Sequence, residues 1–271
     1  MQESILLIGF GAIGLEITKR LVDDPQVRIA QILVRPGKEA MLKEAMLRGE
    51  IDNGVRIISS IEELDPIPDC VLECASHAAV AEFAPYFLSQ GIDFGLISTG
   101  ALSDPTLMQC LKIESKNGNS QLFVVPGAIG GVDALAAAGA ENLDKVKYTS
   151  KKLPMSWTGT PADIEFDLSS IKEATIIFNG SARQAAKLYP KNANVAATIA
   201  LAGLGFEDTK VTLVADPNAK GNTHHLEAFG SFGELDVTII GNSLPSNPKS
   251  SALTAYSAVR ALKNRTQHVC I

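Results

Sequence analysis

The first residues of the chain contain the feature that most restricts its fold. Four apolar residues at positions 5–8 run directly into three glycines with the spacing G-x-G-x-x-G, which are Gly9, Gly11 and Gly14. Apolar residues at helical spacing follow, so the stretch reads as a buried strand, a tight turn and a helix. Gly9 permits the turn, Gly11 lets a pyrophosphate approach the backbone, and Gly14 lets helix and strand pack closely. The N-terminal end of that helix then offers backbone N–H groups to phosphates, which predicts a dinucleotide site.

Strands and helices alternate from this turn to about residue 126. That alternation predicts an α/β fold with an open parallel sheet and helices on both faces, a Rossmann-type doubly wound sheet. Ligands of such sheets lie beyond the carboxyl ends of the strands. One predicted strand, residues 70–75, ends at Ala75 and leads into Ser76 and His77, so we expect these residues at the same edge as the glycine turn. His77 has two readings, a neighbour of the nicotinamide or a surface histidine.

The end of the second predicted strand bears on the choice of cofactor. An acidic side chain about 20 residues beyond the glycines takes the adenosine ribose hydroxyls of NAD, whereas an arginine accepts the 2′-phosphate of NADP. This chain has Arg35, with Lys38 nearby. The pair is also compatible with an ordinary solvated turn, so the cofactor is predicted as NAD or NADP. The cofactor-binding residues expected in this domain are Gly9, Gly11, Ala12, Ile13, Gly14, Arg35, Ala75, Ser76 and His77.

The pattern changes beyond residue 126. Residues 127–247 predict a second, smaller α+β domain, with an antiparallel or mixed sheet and helices on one face. A terminal helix within residues 248–271 is amphipathic and is expected to pack back onto the dinucleotide-binding domain of residues 1–126. The sheet face without helices is expected to be apolar and to bind a partner.

Composition restricts the partners. The formal net charge of −6 argues against nucleic acid, which requires clustered lysines and arginines. No apolar run is long enough for a membrane helix, and the first residues do not resemble a signal peptide, so the expected location is cytoplasmic. The four cysteines form no C-x-x-C pair, and no metal-ligand spacing is present, so reduced thiols are expected and no metal.

Two adjacent histidines are the candidates for acid–base chemistry in the second domain. His224 and His225 lie in a predicted strand, so their side chains point to opposite faces and only one can face a cleft. Periodicity does not choose between them, although the more polar face belongs to His225. The segment at Asn192 and Asn194 is either a helix cap or a donor and acceptor for a carboxamide. The segment at residues 247–251 is either a helix entry or a cationic loop for a dicarboxylate.

Several motifs together resemble the L-aspartate dehydrogenase family. They span nearly the whole chain in the expected order and are GFGAIG at 9–14, PGAIGGVDA at 126–134, NANVAAT at 192–198, NTH at 222–224 and NPKSSALTAYS at 247–257. The resemblance implies reversible, NAD- or NADP-dependent oxidative deamination of L-aspartate to iminoaspartate, and then to oxaloacetate and ammonia. It also implies that Ala128 and Asn194 contact the cofactor, that His224 is the catalytic residue, and that the protein is a homodimer. It makes His224, not His225, the predicted acid–base.

Two other functions remain open at this point. A reductase of the dihydrodipicolinate type pairs a similar cofactor domain with a small α+β domain and also uses a histidine. A non-catalytic nucleotide-sensing protein belongs to a different class. A spectrophotometric assay with reduced cofactor, ammonia and oxaloacetate separates the three.

Overall fold

The computed structural model describes residues 2–190 and 192–270, without the side chains of Pro248 and Lys249. It divides into two compact units, residues 1–125 with 254–271, and residues 126–253. The strands are β1 (Glu3–Ile8), β2 (Val27–Leu33), β3 (Arg56–Ile58), β4 (Cys70–Glu73), β5 (Asp93–Leu96), β6 (Leu122–Val124), β7 (Leu143–Lys152), β8 (Thr175–Ser181), β9 (Lys210–Ala215), β10 (Asn222–Gly230), β11 (Gly233–Gly241), β12 (Ser243–Leu244) and β13 (Asn247–Ser251). The helices are α1 (Ala12–Leu21), α2 (Glu39–Leu47), α3 (His77–Ser89), α4 (Pro105–Gly118), α5 (Val132–Ala138), α6 (Ala162–Glu165), α7 (Ala182–Leu188), α8 (Asn194–Ala202), α9 (Gly205–Asp208) and α10 (Ala252–Asn264).

The first unit is built on a six-stranded parallel sheet in the order β3-β2-β1-β4-β5-β6. This is the strand order of dinucleotide-binding sheets, in which β2 and β3 are added on one side of β1 and β4 to β6 on the other. The central strand β1 is apolar and its last four residues are fully buried, as a strand covered on both faces must be. The Rossmann-type sheet predicted from the sequence is therefore confirmed.

The terminal helix α10 belongs to the first unit from Thr254 onwards. It begins at Ala252, because residues 247–251 pair with β12 as a short antiparallel strand. Three of its small or apolar residues join the core cluster that contains Ile5 and Leu7; these are Ala255, Ala258 and Leu262. Arg265 then fixes its end, with its guanidinium 2.6 Å from the Glu3 carboxylate and 2.8 Å from that of Asp93.

The second unit contains a mixed five-stranded sheet in the order β11-β10-β7-β9-β8, in which only the β7–β9 pair is parallel. One face is buried by helices. Gly203, at the end of α8, is packed so closely that an added Cβ would lie 3.3 Å from Val146 of β7 and 3.4 Å from Leu135 of α5. Helix α5 itself begins at Val132, because residues 126–131 form a loop in which Gly127 and Gly131 have positive φ angles.

The opposite face of this sheet is polar, so the expectation of an uncovered apolar face is wrong. Lys147 of β7 faces Glu227 of β10 at 3.7 Å, and His225 of β10 faces Asp236 of β11 at 3.1 Å. Ile240 is an exposed apolar member of this face. Strand alternation placed the apolar side chains under the helices and left charged ones opposite them.

Candidate active site

The glycine turn of the first unit has the geometry that a bound dinucleotide requires. Gly9 has a φ of +93°, and a Cβ there would lie 2.7 Å from the Cβ of Ala75. A Cβ at Gly11 would meet no atom within 4 Å, so this backbone is open to a ligand. Gly14 packs against the Gly9 carbonyl, where a Cβ would come within 2.9 Å. Helix α1 begins at Ala12 with no side-chain cap and no acidic residue in its first turn, which leaves its first N–H groups for phosphate.

A buried carboxylate holds the neighbouring loop at the end of β4. Oε1 of Glu73 accepts hydrogen bonds from the backbone N–H groups of Ala75 at 2.6 Å and Ser76 at 2.7 Å. The same carboxylate accepts from the Ser98 hydroxyl at 2.8 Å and the Ser98 N–H at 3.1 Å. Burial raises the pKa of Glu73, while these hydrogen bonds act in the opposite direction. Helix α3 starts at His77, which is half-buried, after its cap Ser76.

Glu73 was missed by the sequence interpretation. The sequence did contain an indication of its role, because Glu73 is the charged residue at the end of a four-residue buried strand whose other side chains are apolar or thiol. A carboxylate in such a position needs hydrogen-bond donors, and the backbone N–H groups of the following loop are among the nearest in sequence.

Arg35 lies where the sequence predicted it, just after β2. The side chains of Arg35 and Lys38 are exposed, and residues 34–38 contain no acidic residue. The end of β2 therefore carries exposed positive charge and no acidic side chain, the pattern that accommodates a 2′-phosphate in dinucleotide-binding sheets.

The second unit buries a histidine–tyrosine pair. His224 of β10 is 4% exposed, and its Nδ1 lies 2.6 Å from the hydroxyl oxygen of Tyr148 on β7. The two rings are nearly parallel, with centroids 6.0 Å apart. Burial raises the pKa of Tyr148, so its hydroxyl keeps its proton. No residue in the described part of the chain bonds the other ring nitrogen of His224, Nε2.

A buried lysine lies on the same face of β7. Lys152 is four residues beyond Tyr148, and between them Ser150 stands directly opposite His224 in the strand register. The Lys152 ammonium donates to Oδ1 of Asn192 at 2.9 Å. Burial lowers the pKa of Lys152 to about 8. Burial, together with the positive charge of Lys152, lowers the pKa of His224 to about 3, so His224 is neutral at neutral pH.

His225 occupies the opposite face, as strand geometry requires. Its Nε2 lies 3.1 Å from both carboxylate oxygens of Asp236, and its side chain is 31% exposed. It therefore contacts a carboxylate at the surface, while His224 is the histidine within the helix-covered layer.

The remaining predicted residues also lie in the second unit. Ala128 is buried in the loop before α5, and Asn194 is the first residue of α8. The capping interpretation is wrong, because the N-cap position is Ala193 and no side chain caps this helix. Asn222 is buried at the start of β10. At 247–251 the structure has a strand in place of a helix entry, and the Lys249 side chain lies outside what it describes.

The structure thus assembles the predicted residues into two groups, one in each unit. A six-stranded sheet with an open glycine turn, together with a separate unit that buries a neutral histidine, defines an NAD(P)-dependent dehydrogenase. Residues 9–125 match the family model described as the homoserine dehydrogenase NAD binding domain, and residues 133–265 match that of the aspartate dehydrogenase C-terminal domain. The chain belongs to the L-aspartate dehydrogenase family.

Full-length relatives support this assignment. The L-aspartate dehydrogenase of Pseudomonas aeruginosa is 42% identical over 268 residues, which cover 99% of each chain. That of Cupriavidus taiwanensis is 45% identical over 270 residues, covering 98% of this chain and 99% of the relative. The crystal structure of aspartate dehydrogenase from Thermotoga maritima superposes with a TM-score of 0.78 at 30% identity and covers 100% of both chains.

A more distant likeness concerns the fold alone. Dihydrodipicolinate reductase from Paenisporosarcina has a TM-score of 0.56 at 14% identity, with 98% of this chain and 95% of that chain covered. The reductase alternative therefore shares the architecture of this chain. Among the described residues, no helix has the length and apolar character needed to cross a bilayer.

Proposed function

We propose that this chain catalyses the reversible oxidative deamination of L-aspartate, with NAD or NADP as the hydride acceptor. Hydride leaves the substrate Cα, water adds to the resulting imine, and oxaloacetate and ammonia are released. The observation that carries the proposal is the buried Tyr148–His224 pair beside the Lys152 ammonium, in the unit that matches the aspartate dehydrogenase model. The nicotinamide, when bound, supplies the hydride chemistry.

The residues of the first unit bind and orient the dinucleotide in this proposal. The backbone around Gly9, Gly11 and Gly14 and the first N–H groups of α1 hold the pyrophosphate. Arg35 holds the adenosine ribose end. Glu73 acts through the loop at Ala75–Ser76, since its carboxylate fixes the backbone of that loop by direct hydrogen bonds.

His224 is the proposed acid–base. It is uncharged before substrate binds, so it can accept a proton from the substrate ammonium or from the attacking water. With the imidazole proton on Nδ1, that N–H donates to the Tyr148 hydroxyl oxygen, and the unprotonated Nε2 is the nitrogen that accepts the proton. Tyr148 also fixes the orientation of the ring, because both side chains are buried and stacked.

The test compares the two histidines. Oxidation of NADPH and NADH with oxaloacetate and ammonia is followed spectrophotometrically for the wild type, His224→Ala and His225→Ala. A positioned acid–base contributes about 10²–10⁴-fold, so His224→Ala should lower kcat by that order. NADPH affinity, measured by fluorescence titration, should stay within a few-fold. His225→Ala is the matched control and should retain nearly full activity; the reverse pattern would assign the role to His225.

We also propose a homodimer and a cytoplasmic location. The dimer is supported by the family resemblance, and the location by four cysteines that remain free thiols in the structure. Light scattering at micromolar concentration should give twice the chain mass of 28.7 kDa. A monomer mass under these conditions would contradict the dimer.

A further inference from the structure

The second unit buries a cation for which the described residues supply no counter-charge. Lys152 is 7% exposed, and its ammonium contacts the Asn192 amide oxygen at 2.9 Å and the ring of Trp157 with 5.3 Å to the centroid. Both partners are neutral. Within residues 2–190 and 192–270, no carboxylate lies at ion-pair distance from this ammonium. Burying an unpaired charge is expensive, so a structural role alone does not account for a lysine here.

The Lys152 ammonium lies on the same buried face of the sheet as His224, the proposed acid–base. Tyr148, Ser150 and Lys152 are alternate residues of β7 and share its buried face. Ser150 is paired with His224 on the neighbouring strand, and the Lys152 charge is close enough to act on the His224 ring. The adjacent Lys151 points to the opposite face and is exposed. The cation therefore belongs to the same buried layer as the histidine.

We propose that the Lys152 ammonium binds a carboxylate of the dicarboxylate substrate. The inference rests on the proposed function, since L-aspartate and oxaloacetate each bring two carboxylates to the site. A compact ammonium suits a single carboxylate oxygen, and Asn192 orients the ammonium because its Oδ1 accepts a hydrogen bond from one of the three N–H groups. The neutral side chains around Lys152 leave its charge uncompensated until the substrate arrives.

Binding of the carboxylate has a consequence for His224. The charge of Lys152 is one of the two causes that depress the basicity of the imidazole. A bound carboxylate cancels much of this charge and raises the proton affinity of His224. The histidine thus becomes a better proton acceptor when the substrate is in place.

The first experiment uses succinate, a dicarboxylate without an amine, as the probe. Its binding to the NADPH-loaded enzyme is measured by calorimetry for the wild type, Lys152→Met and Lys151→Met. Removing one partner of a buried charge pair should weaken succinate binding by about 30-fold or more in Lys152→Met. Lys151→Met carries the same change of charge on the neighbouring residue and should stay within about 3-fold. Equal succinate affinity in the wild type and Lys152→Met would overturn the proposal.

A second variant keeps Lys152 and places a carboxylate of the chain itself beside the ammonium. Asn192→Asp places a carboxylate at the distance now occupied by the amide oxygen, so it should compete with succinate and weaken its binding by about 10-fold or more. NADPH affinity should be unchanged in both variants. A loss of NADPH affinity with intact succinate binding would instead assign Lys152 to the cofactor and overturn the proposal. Thermal unfolding of each variant verifies that it is folded.

Substrate analogues identify which carboxylate is bound. The kcat/KM values of wild type and Lys152→Met are compared for L-aspartate, for L-asparagine, which lacks the side-chain carboxylate, and for aspartate 1-amide, which lacks the α-carboxylate. The variant should lose activity on aspartate and on one amide, while the other amide is affected least. An equal loss on all three would overturn carboxylate binding. Succinate binding through Lys152 without aspartate oxidation would contradict the proposed function and leave this site in place.

Discussion

The low proton affinity of His224 predicts an unusual acid response. In an unfolded chain the imidazole titrates at its ordinary pKa of 6.5, whereas burial and Lys152 lower the pKa in the folded chain to about 3. Between these values the unfolded state binds more protons, so stability falls as the pH decreases from 6.5 towards 3. Above pH 6.5 the imidazole is mostly neutral in both states, so the stability of the folded chain is not reduced by this residue. At about 1.4 kcal/mol per pKa unit, the loss is about 3 kcal/mol by pH 4.5 and about 4 kcal/mol at pH 3, where half of the folded molecules are protonated as well.

Two measurements examine this prediction. NMR of the histidine ring carbons, assigned with His→Gln variants, should show that His224 does not titrate between pH 8 and 4.5. Urea unfolding is followed by the fluorescence of Trp157, the single tryptophan, which is buried in the unit that contains His224. From pH 6.5 to 4.5 the wild type should lose about 3 kcal/mol more than His224→Gln, because all other titrating groups are shared.

The control is His225→Gln on the opposite, partly exposed face of β10, which keeps His224 and should therefore keep the acid-dependent loss that His224 causes. The reasoning would be refuted by a His224 resonance that titrates near pH 6. It would equally be refuted by parallel pH curves for the wild type and His224→Gln, since these would mean that burial does not control the protonation of the ring.

Three further predictions follow from other residues. Arg35→Asp should lower kcat/KM for NADP by about 10- to 100-fold through loss of a charge-assisted contact, with little change for NAD; steady-state kinetics showing equal losses would remove Arg35 as the discriminator. Glu73→Gln should destabilise the chain by about 2–3 kcal/mol in urea unfolding and weaken NADPH binding, because an amide nitrogen would face backbone N–H groups. The exposed Glu82→Gln is its control on the following helix, and equal stability of the two variants would argue against this role of Glu73. Lys152→Met should be more stable than the wild type at pH 7 by about 3 kcal/mol, because the wild type buries a charge. This difference in stability should disappear as the pH rises from 8 to 10.5, since in that range the folded wild type has lost the lysine proton and the unfolded wild type still holds it. A constant difference across that range in urea unfolding would contradict the burial of a charged lysine.

The first unit was largely determined by local sequence. An uninterrupted apolar run is the pattern of a strand covered on both faces, and it is followed by glycines that the turn requires at Gly9 and Gly14. The alternation of strands and helices then restricts the sheet to a few topologies. Short-range signals were sufficient because each of them lies within one strand–turn–helix segment.

The second unit shows which information the sequence does not supply. Alternation indicated that His224 and His225 face opposite ways, but only the pairing of β10 with β7 and the helices over one face decided that His224 is buried. The same pairing brings Tyr148, 76 residues away in sequence, to hydrogen-bond distance of that ring. The buried Lys152 has an exposed lysine beside it, and the two differ only in the face of the strand that they occupy.

The sequence by itself therefore determined the dinucleotide-binding fold, the edge of its sheet that carries the glycine turn, and the residue types available for chemistry. The tertiary structure decided which of those residues are buried and which are in contact with each other. Protonation depends on desolvation and on charges that are distant in sequence, and neither exists until strands far apart in the chain are in register. For this reason the neutral state of His224 and the uncompensated charge of Lys152 are properties of the fold, although every residue involved is visible in the sequence.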